Sequence, residues 1–197
     1  MIKARLLSEI ATPLNGQLLG DDAKFSSVAI DTRAIISCGL FVAFNGEQVD
    51  GHDYIQQAAD AGASAAIVTR PIENSPLPLL LVDDGVMALH VLAKLERARF
   101  AGPVVGITGS AGKTTVKGMV TAILNSFIPT QSTKGNFNNH LGMPLTLLSV
   151  EGHHHAMVLE MGANGLHEIG DLCRIAKPTV GVVTNALQAH VEGFGSL

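Results

Sequence analysis

The sequence predicts an α/β protein in which a small α/β domain is followed by the first part of a parallel-sheet domain with a phosphate-binding loop. Three observations predict this fold class. Short apolar runs alternate with segments of helical periodicity, and a glycine-rich stretch lies between one such run and the next helix. The 197 residues include 21 Gly and no Trp, and 47% are hydrophobic, which supplies a sizeable core and many tight strand-to-helix turns.

The first unit is predicted to cover residues 1–84. Short apolar runs at 28–31 and 40–44 are typical of strands, residues 54–61 have the pattern of a helix, and the runs at 65–69 and 79–82 predict two further strands. Glycines and a proline cluster separate these elements. Together they indicate a small α/β domain.

A joining segment, residues 85–102, contains an amphipathic helix at 86–99. The second unit, residues 103–197, then begins with a strand at 104–108 and a helix at 113–126, followed by a strand at 156–160, a helix at 166–175 and a strand at 180–184. Apolar strands that alternate with helices predict a parallel sheet covered on both faces. Three strands are few for such a sheet, so we expect this domain to be truncated.

Composition argues against several classes of protein. The net charge of -4 is unsuited to a broad basic surface for nucleic acid, although it allows an anionic small substrate. The apolar runs are too short to span a bilayer, and the N-terminus lacks the pattern of a signal peptide. Cys38 and Cys173 have no metal-binding spacing and are expected to be free, buried thiols. We therefore expect a cytoplasmic protein with no nucleic-acid partner and no membrane span.

The stretch GITGSAGKTT, residues 106–115, is predicted to bind the phosphates of ATP. Gly109 and Gly112 let the backbone curl so that successive N–H groups point at phosphate oxygens, and the following helix adds unpaired donors. Lys113 can reach the β- and γ-phosphates, and the Thr114 hydroxyl can bind Mg²⁺. Ile107 stands where the strict P-loop pattern has its first glycine. The strand before the loop and the helix after it nevertheless favour a phosphate site over a plain turn.

Two further side chains are expected at the carboxyl edge of the same sheet. Glu160 ends an apolar strand, where an α/β fold places a metal ligand, and His190 follows the last predicted strand. Taken alone, Glu160 can also be a solvent-facing carboxylate, and an isolated histidine is more often structural than a ligand.

Two polar clusters remain open on residue type alone. Asn136, Asn138 and Asn139 can bind a base or substrate, or can simply form a turn before Pro144. The histidines at 153–155 are adjacent and cannot all face one ion on regular structure, so an exposed loop is favoured over a zinc site.

With these residues assembled, the chain resembles the Mur ligases, ATP-dependent enzymes that add amino acids to peptidoglycan precursors. The resemblance covers essentially the whole chain. It rests on AIDTRAIISCGLFVAFNGEQVDGHDY, GITGSAGKTTVKGM, GNFNNHLGMPLTLL, VLEMGANGLHEI and AHVEGFGSL. The loop is shared with folylpolyglutamate synthetases, whereas Glu-Met-Gly-Ala-Asn and AHVEGFGS indicate the branch that adds D-alanyl-D-alanine. Two departures, His167 in place of a glycine and the run at 186–188, lie in turns and remove no proposed ligand.

The resemblance implies a role for each matching residue. Those expected to bind the UDP substrate are Asp31, Thr32, Arg33, Asn45, Gly46, Asp50, Gly51, His52 and Asn136. Those expected to bind ATP are Gly109, Ser110, Ala111, Gly112, Lys113, Thr114, Thr115, Asn138 and Asn139. Thr114, Glu160 and His190 would hold Mg²⁺, and the catalytic residues would be Lys113, Glu160 and His190.

The resemblance also implies an activity. UDP-N-acetylmuramoyl-tripeptide and D-alanyl-D-alanine would be the substrates, ATP and Mg²⁺ the cofactors, and the full-length enzyme a monomer. Members of the family are much longer than 197 residues, so this portion alone is expected not to catalyse ligation.

Three other readings stay open at this stage. The chain can be a binding module that holds a UDP-sugar without catalysis. It can be a P-loop kinase or GTPase, although no N-K-x-D motif is present. It can also be a neighbouring ligase, of the Mur or folylpolyglutamate synthetase type, that adds a different amino acid.

Overall fold

The computed structural model describes residues 2–46 and 49–187. The chain divides into two units, Met1–Leu92 and Ala93–Leu197, and the division falls within a helix, α3. The elements up to that helix are β1 (Arg5–Leu6), α1 (Leu7–Ala11), β2 (Gln17–Leu19), β3 (Lys24–Phe25), β4 (Ser27–Ala29), β5 (Gly39–Val42), α2 (Ile55–Asp60), β6 (Ala63–Val68), β7 (Leu79–Leu81) and α3 (Gly85–Arg99).

The first unit is built on a five-stranded mixed sheet with the order β2-β7-β6-β5-β4. β4, β5, β6 and β7 are parallel, and β2 adds to β7 in the antiparallel direction. β1 and β3 form a separate antiparallel pair. Phe41, Ile67 and Leu80 are almost fully buried, because strands covered on both faces are apolar throughout. The predicted small α/β domain is confirmed.

The first unit differs from the sequence prediction at its short elements. β1, α1, β2 and β3 were not predicted, because elements of two to five residues show no measurable periodicity. The strand predicted at 28–31 ends at Ala29, and Asp31 instead caps a 3₁₀ turn, Thr32–Ala34, by accepting from the Arg33 N–H. The helix predicted from residue 54 begins at Ile55, after a 3₁₀ turn at Gly51–Tyr54.

The second unit has a four-stranded sheet in which every strand pair is parallel. Its elements are β8 (Val104–Thr108), α4 (Lys113–Asn125), β9 (Thr130–Ser132), α5 (Gly142–Leu148), β10 (Ala156–Glu160), α6 (Glu168–Ala176) and β11 (Val180–Val183). The strand order is β11-β8-β10-β9. Glu160 lies opposite Ile107, so the end of β10 reaches the sheet edge where β8 runs into the phosphate loop.

Two elements of the second unit, β9 and α5, were not predicted. β9 reads Thr-Gln-Ser, which has no apolar signature although Thr130 and Gln131 are buried. α5 has Pro144 at its third residue, where the backbone N–H has no partner within a helix, so the proline is tolerated. The helix predicted at 166–175 begins two residues later, because His167 has a φ of 69°, outside the helical region.

The sequence predicts no membrane span, because its apolar runs are too short. Among the described residues, no helix combines the length and the apolar character that crossing a membrane requires.

Candidate functional site

The phosphate loop, residues 109–112, joins β8 to α4 and has two glycines in conformations that other residues rarely adopt. Gly109 has a φ of 140° and Gly112 a φ of 80°. A Cβ at position 109 would lie 2.1 Å from the Thr184 Oγ1 atom. α4 begins at Lys113, with Gly112 at its N-cap and no side-chain hydrogen bond to the cap. The first N–H groups of α4 are therefore available to an anion.

The Lys113 side chain turns back across this loop. It is half-buried, and its Nζ atom donates to the Gly109 carbonyl oxygen at 2.6 Å. The neighbouring Thr114 and Thr115 are exposed at the first turn of α4. The Lys113 ammonium group therefore lies next to the backbone of the phosphate loop, close to the N–H groups at the start of α4.

The segment after β11 holds the loop from the other side. Asn185 Oδ1 accepts the Ala111 N–H at 2.9 Å, and Asn185 Nδ2 donates to the Ala111 carbonyl at 3.1 Å. Thr184 Oγ1 donates to the same carbonyl at 2.6 Å, and the Asn185 carbonyl accepts the Ser110 N–H at 3.2 Å. Neither Thr184 nor Asn185 was predicted as a site residue. The only signal in the sequence was Thr184 at the end of a predicted strand, with Asn185 directly after it.

Glu160 is the centre of a buried polar cluster at the end of β10. Its carboxylate is only 3% exposed, and Oε1 accepts from Asn138 Nδ2 at 2.9 Å. The Lys117 Nζ atom lies 3.4 Å from Oε2 and donates to the Thr133 carbonyl at 2.9 Å. The Glu160 N–H donates to Thr133 Oγ1 at 3.0 Å. Lys117 and Thr133 were missed, because a lone lysine and a strand-end threonine have no distinctive spacing.

The residues present fit a magnesium ion whose other ligands come from a nucleotide. The buried Glu160 Oε2 atom has no hydrogen-bond partner, so it retains lone pairs for a cation. In the described part of the chain, no group of three or more His, Cys, Asp or Glu could hold a metal by itself. Mg²⁺ suits this arrangement, because it takes one or two protein oxygens and completes its shell with phosphate and water. His190 lies outside the described residues.

The three asparagines of the 136–139 stretch separate into different environments. Only Asn138 contacts Glu160. Asn139 Oδ1 accepts the N–H groups of Leu141 at 3.2 Å and Gly142 at 2.8 Å, so its side-chain oxygen caps the start of α5. Asn136 is exposed, and its carbonyl accepts the Asn138 N–H at 2.8 Å. This geometry gives Asn139 a role in positioning α5, and its expected contact with ATP stays a prediction.

The first unit contains a cleft of about 550 Å³ at the ends of its parallel strands. Of the residues expected to bind the UDP substrate, it is lined by Asp31, Thr32, Arg33, Gly46 and Gly51. The other lining residues, none of which was predicted, are Ile30, Phe41, Val42, Phe44, Val49, Tyr54 and Gln57. The cleft thus combines an aromatic, apolar wall with one ion pair, and its volume suits a small-molecule ligand.

That ion pair joins Arg33 to Asp31. The guanidinium is 86% exposed and contacts both carboxylate oxygens, with an Nη2-to-Oδ2 distance of 2.6 Å. The side-chain hydrogen bond from Arg33, together with its backbone N–H, holds the pKa of Asp31 below its ordinary value. Arg33 therefore remains available to a diphosphate, while Asp31 fixes its direction.

Asp50 and His52 lie beside the cleft and form a network of their own. The Asp50 carboxylate accepts three hydrogen bonds. The donors are the His52 backbone N–H at 2.9 Å, His52 Nδ1 at 2.5 Å and Arg70 Nη2 at 2.9 Å. These contacts, the backbone N–H of His52 above all, depress the pKa of Asp50. The His52 side chain is 1% exposed, and its Nε2 atom accepts the Thr69 N–H at 2.9 Å.

Both ring nitrogens of His52 are thus engaged, as an Nδ1 donor and an Nε2 acceptor. These hydrogen bonds give His52 a role in holding the loop, and its expected contact with the substrate stays a prediction. Asn45 pairs with Asp50 in an antiparallel bridge and belongs to the same support.

Comparison with known families gives two matches along the chain. Residues 107–197 match the model of the Mur ligase middle domain, and residues 24–100 match the model of the Mur ligase family, catalytic domain.

Curated relatives include UDP-N-acetylmuramoyl-tripeptide--D-alanyl-D-alanine ligases. The Escherichia coli ligase is 42% identical over 191 residues, which cover 97% of this chain and 42% of the relative. The Bacillus subtilis ligase is 39% identical over 201 residues, covering all of this chain and 44% of the relative. The chain therefore spans about two-fifths of the length of these relatives.

Solved structures with the same fold include MurF from Acinetobacter baumannii. Its TM-score is 0.90 at 33% identity, and the match covers 98% of this chain and 44% of that one. MurF ligase from Thermotoga maritima, solved in complex with ADP, has a TM-score of 0.75 at 37% identity, covering 84% of this chain and 38% of that one.

Proposed function

Since this chain belongs to the Mur ligase family, we propose that the protein is an ATP-dependent ligase that joins D-alanyl-D-alanine to UDP-N-acetylmuramoyl-tripeptide. The observation that carries this proposal is the 42% identity, over 97% of the chain, to a curated ligase of that name. The phosphate loop with Glu160 at the end of the neighbouring strand supplies the chemistry that such an activity needs. We place the protein in the cytoplasm, as a monomer at its natural length.

The second unit would bind ATP. The free N–H groups at the start of α4 receive phosphate oxygens, and Lys113 exchanges the Gly109 carbonyl for the β- and γ-phosphates. Glu160 and the exposed Thr114 hydroxyl would hold Mg²⁺, with His190 as a further ligand. When bound, the ion neutralises charge on the phosphates.

The first unit would bind the UDP end of the tripeptide substrate. Its cleft offers an aromatic and apolar wall for a base, and Arg33 at the mouth suits a diphosphate. His52 and Asp50 would keep the cleft loop in place through the contacts to Thr69 and Arg70.

The reaction would proceed in two steps. The carboxylate of the tripeptide attacks the γ-phosphorus of ATP, which forms an acyl phosphate and releases ADP. The amine of D-alanyl-D-alanine then attacks the acyl carbon, phosphate leaves, and the amide forms. In the first step, Lys113 and the loop N–H groups offset charge on the transferring phosphoryl group, so the chain acts mainly by positioning and electrostatics.

The matched relatives are more than twice as long as the chain, so we propose that ligation also needs regions beyond the matched part. These 197 residues alone should therefore retain ligand binding more readily than catalysis. Calorimetry with UDP-N-acetylmuramoyl-tripeptide and with ATP, each titrated separately, tests that expectation.

A ligation assay tests the function itself. The protein at its natural length is incubated with ATP, Mg²⁺, UDP-N-acetylmuramoyl-tripeptide and D-alanyl-D-alanine, and the product is identified by mass spectrometry with ADP release measured in parallel. Matched reactions replace the dipeptide by single amino acids, including glutamate. We expect one amide product and one ADP per turnover with the dipeptide only. A product with a single amino acid, or ADP release without ligation, would contradict the proposal.

A further inference from the structure

Lys117 is a buried cation that the proposed chemistry does not use. It lies on α4, one turn after Lys113, and is only 8% exposed. Its Nζ atom is placed between two acceptors, the Thr133 carbonyl at 2.9 Å and Glu160 Oε2 at 3.4 Å. Burial of an ammonium group is costly unless an opposite charge compensates it, so this position requires an explanation.

The burial of a lysine at position 117 is not explained by a contribution to the stability of α4. The helix macrodipole favours carboxylates in the first turn, so a lysine at the fifth residue of α4 gains no stabilisation from it. Two lysines four residues apart, Lys113 and Lys117, also repel each other on one helix face. A buried ion pair such as Lys117 with Glu160 is weak evidence for stability, because apolar side chains of similar volume can replace it.

The two oxygens of the Glu160 carboxylate are treated differently. Oε1 is fixed by the Asn138 amide at 2.9 Å. Oε2 faces the Lys117 ammonium at 3.4 Å but has no hydrogen-bond partner, although it is buried. The carboxylate is thus held in one orientation, while one oxygen keeps a lone pair that nothing in the described chain uses.

We propose that Lys117 is a positioning residue that presents the Glu160 carboxylate to the divalent cation of the bound nucleotide. The Thr133 carbonyl anchors Nζ, and the ammonium keeps Oε2 aimed at the sheet edge where β8 meets the phosphate loop. Lys117 acts only through Glu160 and makes no contact with the nucleotide. The proposal rests on the ATP site of the proposed function and adds a residue outside the phosphate loop that determines the affinity for Mg²⁺.

Calorimetry of ADP binding over a range of Mg²⁺ concentrations tests this role without measuring ligation. Lys117→Met keeps the length of the side chain and removes its charge, and Lys117→Arg keeps the charge but moves it. Loss of a residue that orients a metal ligand typically costs about 10–100-fold in metal affinity. We therefore expect K117M to need about 10–100-fold more Mg²⁺ for half-maximal enhancement of ADP binding, and K117R to show a smaller rise. ADP affinity without Mg²⁺ should be unchanged in both.

A double-variant cycle separates an action through Glu160 from a general effect on folding. Glu160→Gln alone should raise the Mg²⁺ requirement, and adding K117M to E160Q should raise it no further, because Lys117 then has no carboxylate to orient. Thermal unfolding is measured in every variant. Should K117M fail to fold, K117R decides the question, because an unchanged Mg²⁺ requirement in a folded K117R protein would overturn the proposal.

The remaining outcomes are distinct. If the wild-type protein binds no ADP with or without Mg²⁺, the proposed function itself fails. If the wild type binds Mg²⁺ with ADP and K117M matches it, Lys117 is structural only. If K117M binds Mg²⁺ more tightly, Lys117 is a competing charge and the positioning role is wrong.

Discussion

The Asn185 side chain forms two hydrogen bonds with the backbone of Ala111. Its Oδ1 atom accepts the Ala111 N–H at 2.9 Å, and its Nδ2 atom donates to the Ala111 carbonyl at 3.1 Å. The two residues are brought together because β11 pairs with β8 in the register Val183 to Thr108. The shape of the phosphate loop therefore depends on a segment that lies more than 70 residues further along the chain.

Replacing Asn185 should weaken nucleotide binding. Asn185→Leu removes both hydrogen bonds to Ala111 while keeping a similar volume, and a loss of one or two kcal/mol corresponds to about 5–30-fold in ADP affinity. Asn185→Asp keeps the acceptor but loses the donor and adds a negative charge near the phosphates, so it should bind ADP less well than N185L. Calorimetry measures both, with Ala186→Ser at the adjacent exposed position as the control. Equal affinity in N185L and wild type would contradict the loop-holding role.

Removing the Lys113 charge should abolish productive use of ATP. Lys113→Met should lower kcat for ADP release by about 100-fold or more, because a preorganised donor at the transferring phosphoryl group is lost. The assay is substrate-dependent ADP release by the protein at its natural length. Lys94→Met, at an exposed position of α3, changes the net charge equally and should retain activity. A K113M protein with more than a tenth of wild-type kcat would be inconsistent with the assignment.

Two glycines around the phosphate loop should respond to alanine in opposite directions. Gly109→Ala forces a side chain into a φ of 140° and places its Cβ 2.1 Å from Thr184 Oγ1, so the free energy of unfolding should fall by at least about 1–3 kcal/mol. Gly118→Ala lies within α4, where the new Cβ would meet no atom within 4 Å apart from the neighbouring backbone of the helix, and should raise the free energy of unfolding by about 0.5–1 kcal/mol. Urea unfolding measures both variants. A neutral G109A would show that the loop is less constrained than its geometry indicates.

The stability of the first unit should depend on the charge of Asp50 in acid. Its pKa in the folded protein is depressed below the ordinary value of 3.8, chiefly by the His52 N–H and Arg70, so its carboxylate stabilises the fold above that pH. This contribution is lost as the pH falls below 3.8 towards the lower folded-state pKa. Asp50→Asn should therefore be less stable than wild type at pH 7, with a difference that shrinks below pH 3.8.

Urea unfolding at a series of pH values tests the Asp50 prediction. Asp21→Asn serves as a control with the same change of charge at an exposed position in the same unit. A difference between D50N and wild type that does not vary with pH would mean that the Asn change acts through packing rather than through the carboxylate.

What the sequence could predict was local. The loop around Gly112 and Lys113 depends on a strand, a turn and a helix that are contiguous, and Glu160 could be placed because it ends an apolar run. The three strands predicted in the second unit are all present, since each is a run of mainly apolar residues, although β11 is largely exposed.

What could not be predicted depends on contacts between distant segments. Lys117 reaches Glu160 only because α4 and β10 pack together, and Asn185 reaches Ala111 only through strand register. Asn138 and Asn139 are identical in type and adjacent, yet one contacts the carboxylate and the other caps α5. Residue type alone could not separate those two roles.

The contact between Lys113 and the Gly109 carbonyl has a consequence for the entropy of nucleotide binding. A lysine side chain that moves freely in solvent loses about 1.5–2 kcal/mol of rotamer freedom when it becomes ordered. In this protein the Lys113 Nζ atom already lies 2.6 Å from the Gly109 carbonyl oxygen. Much of the side chain's rotamer entropy is therefore lost when the protein folds and not when the nucleotide binds. A bound phosphate would replace the Gly109 carbonyl as the acceptor and would leave the side chain in nearly the same place. Tight binding at this position then comes from preorganisation, which adds no contact to the complex.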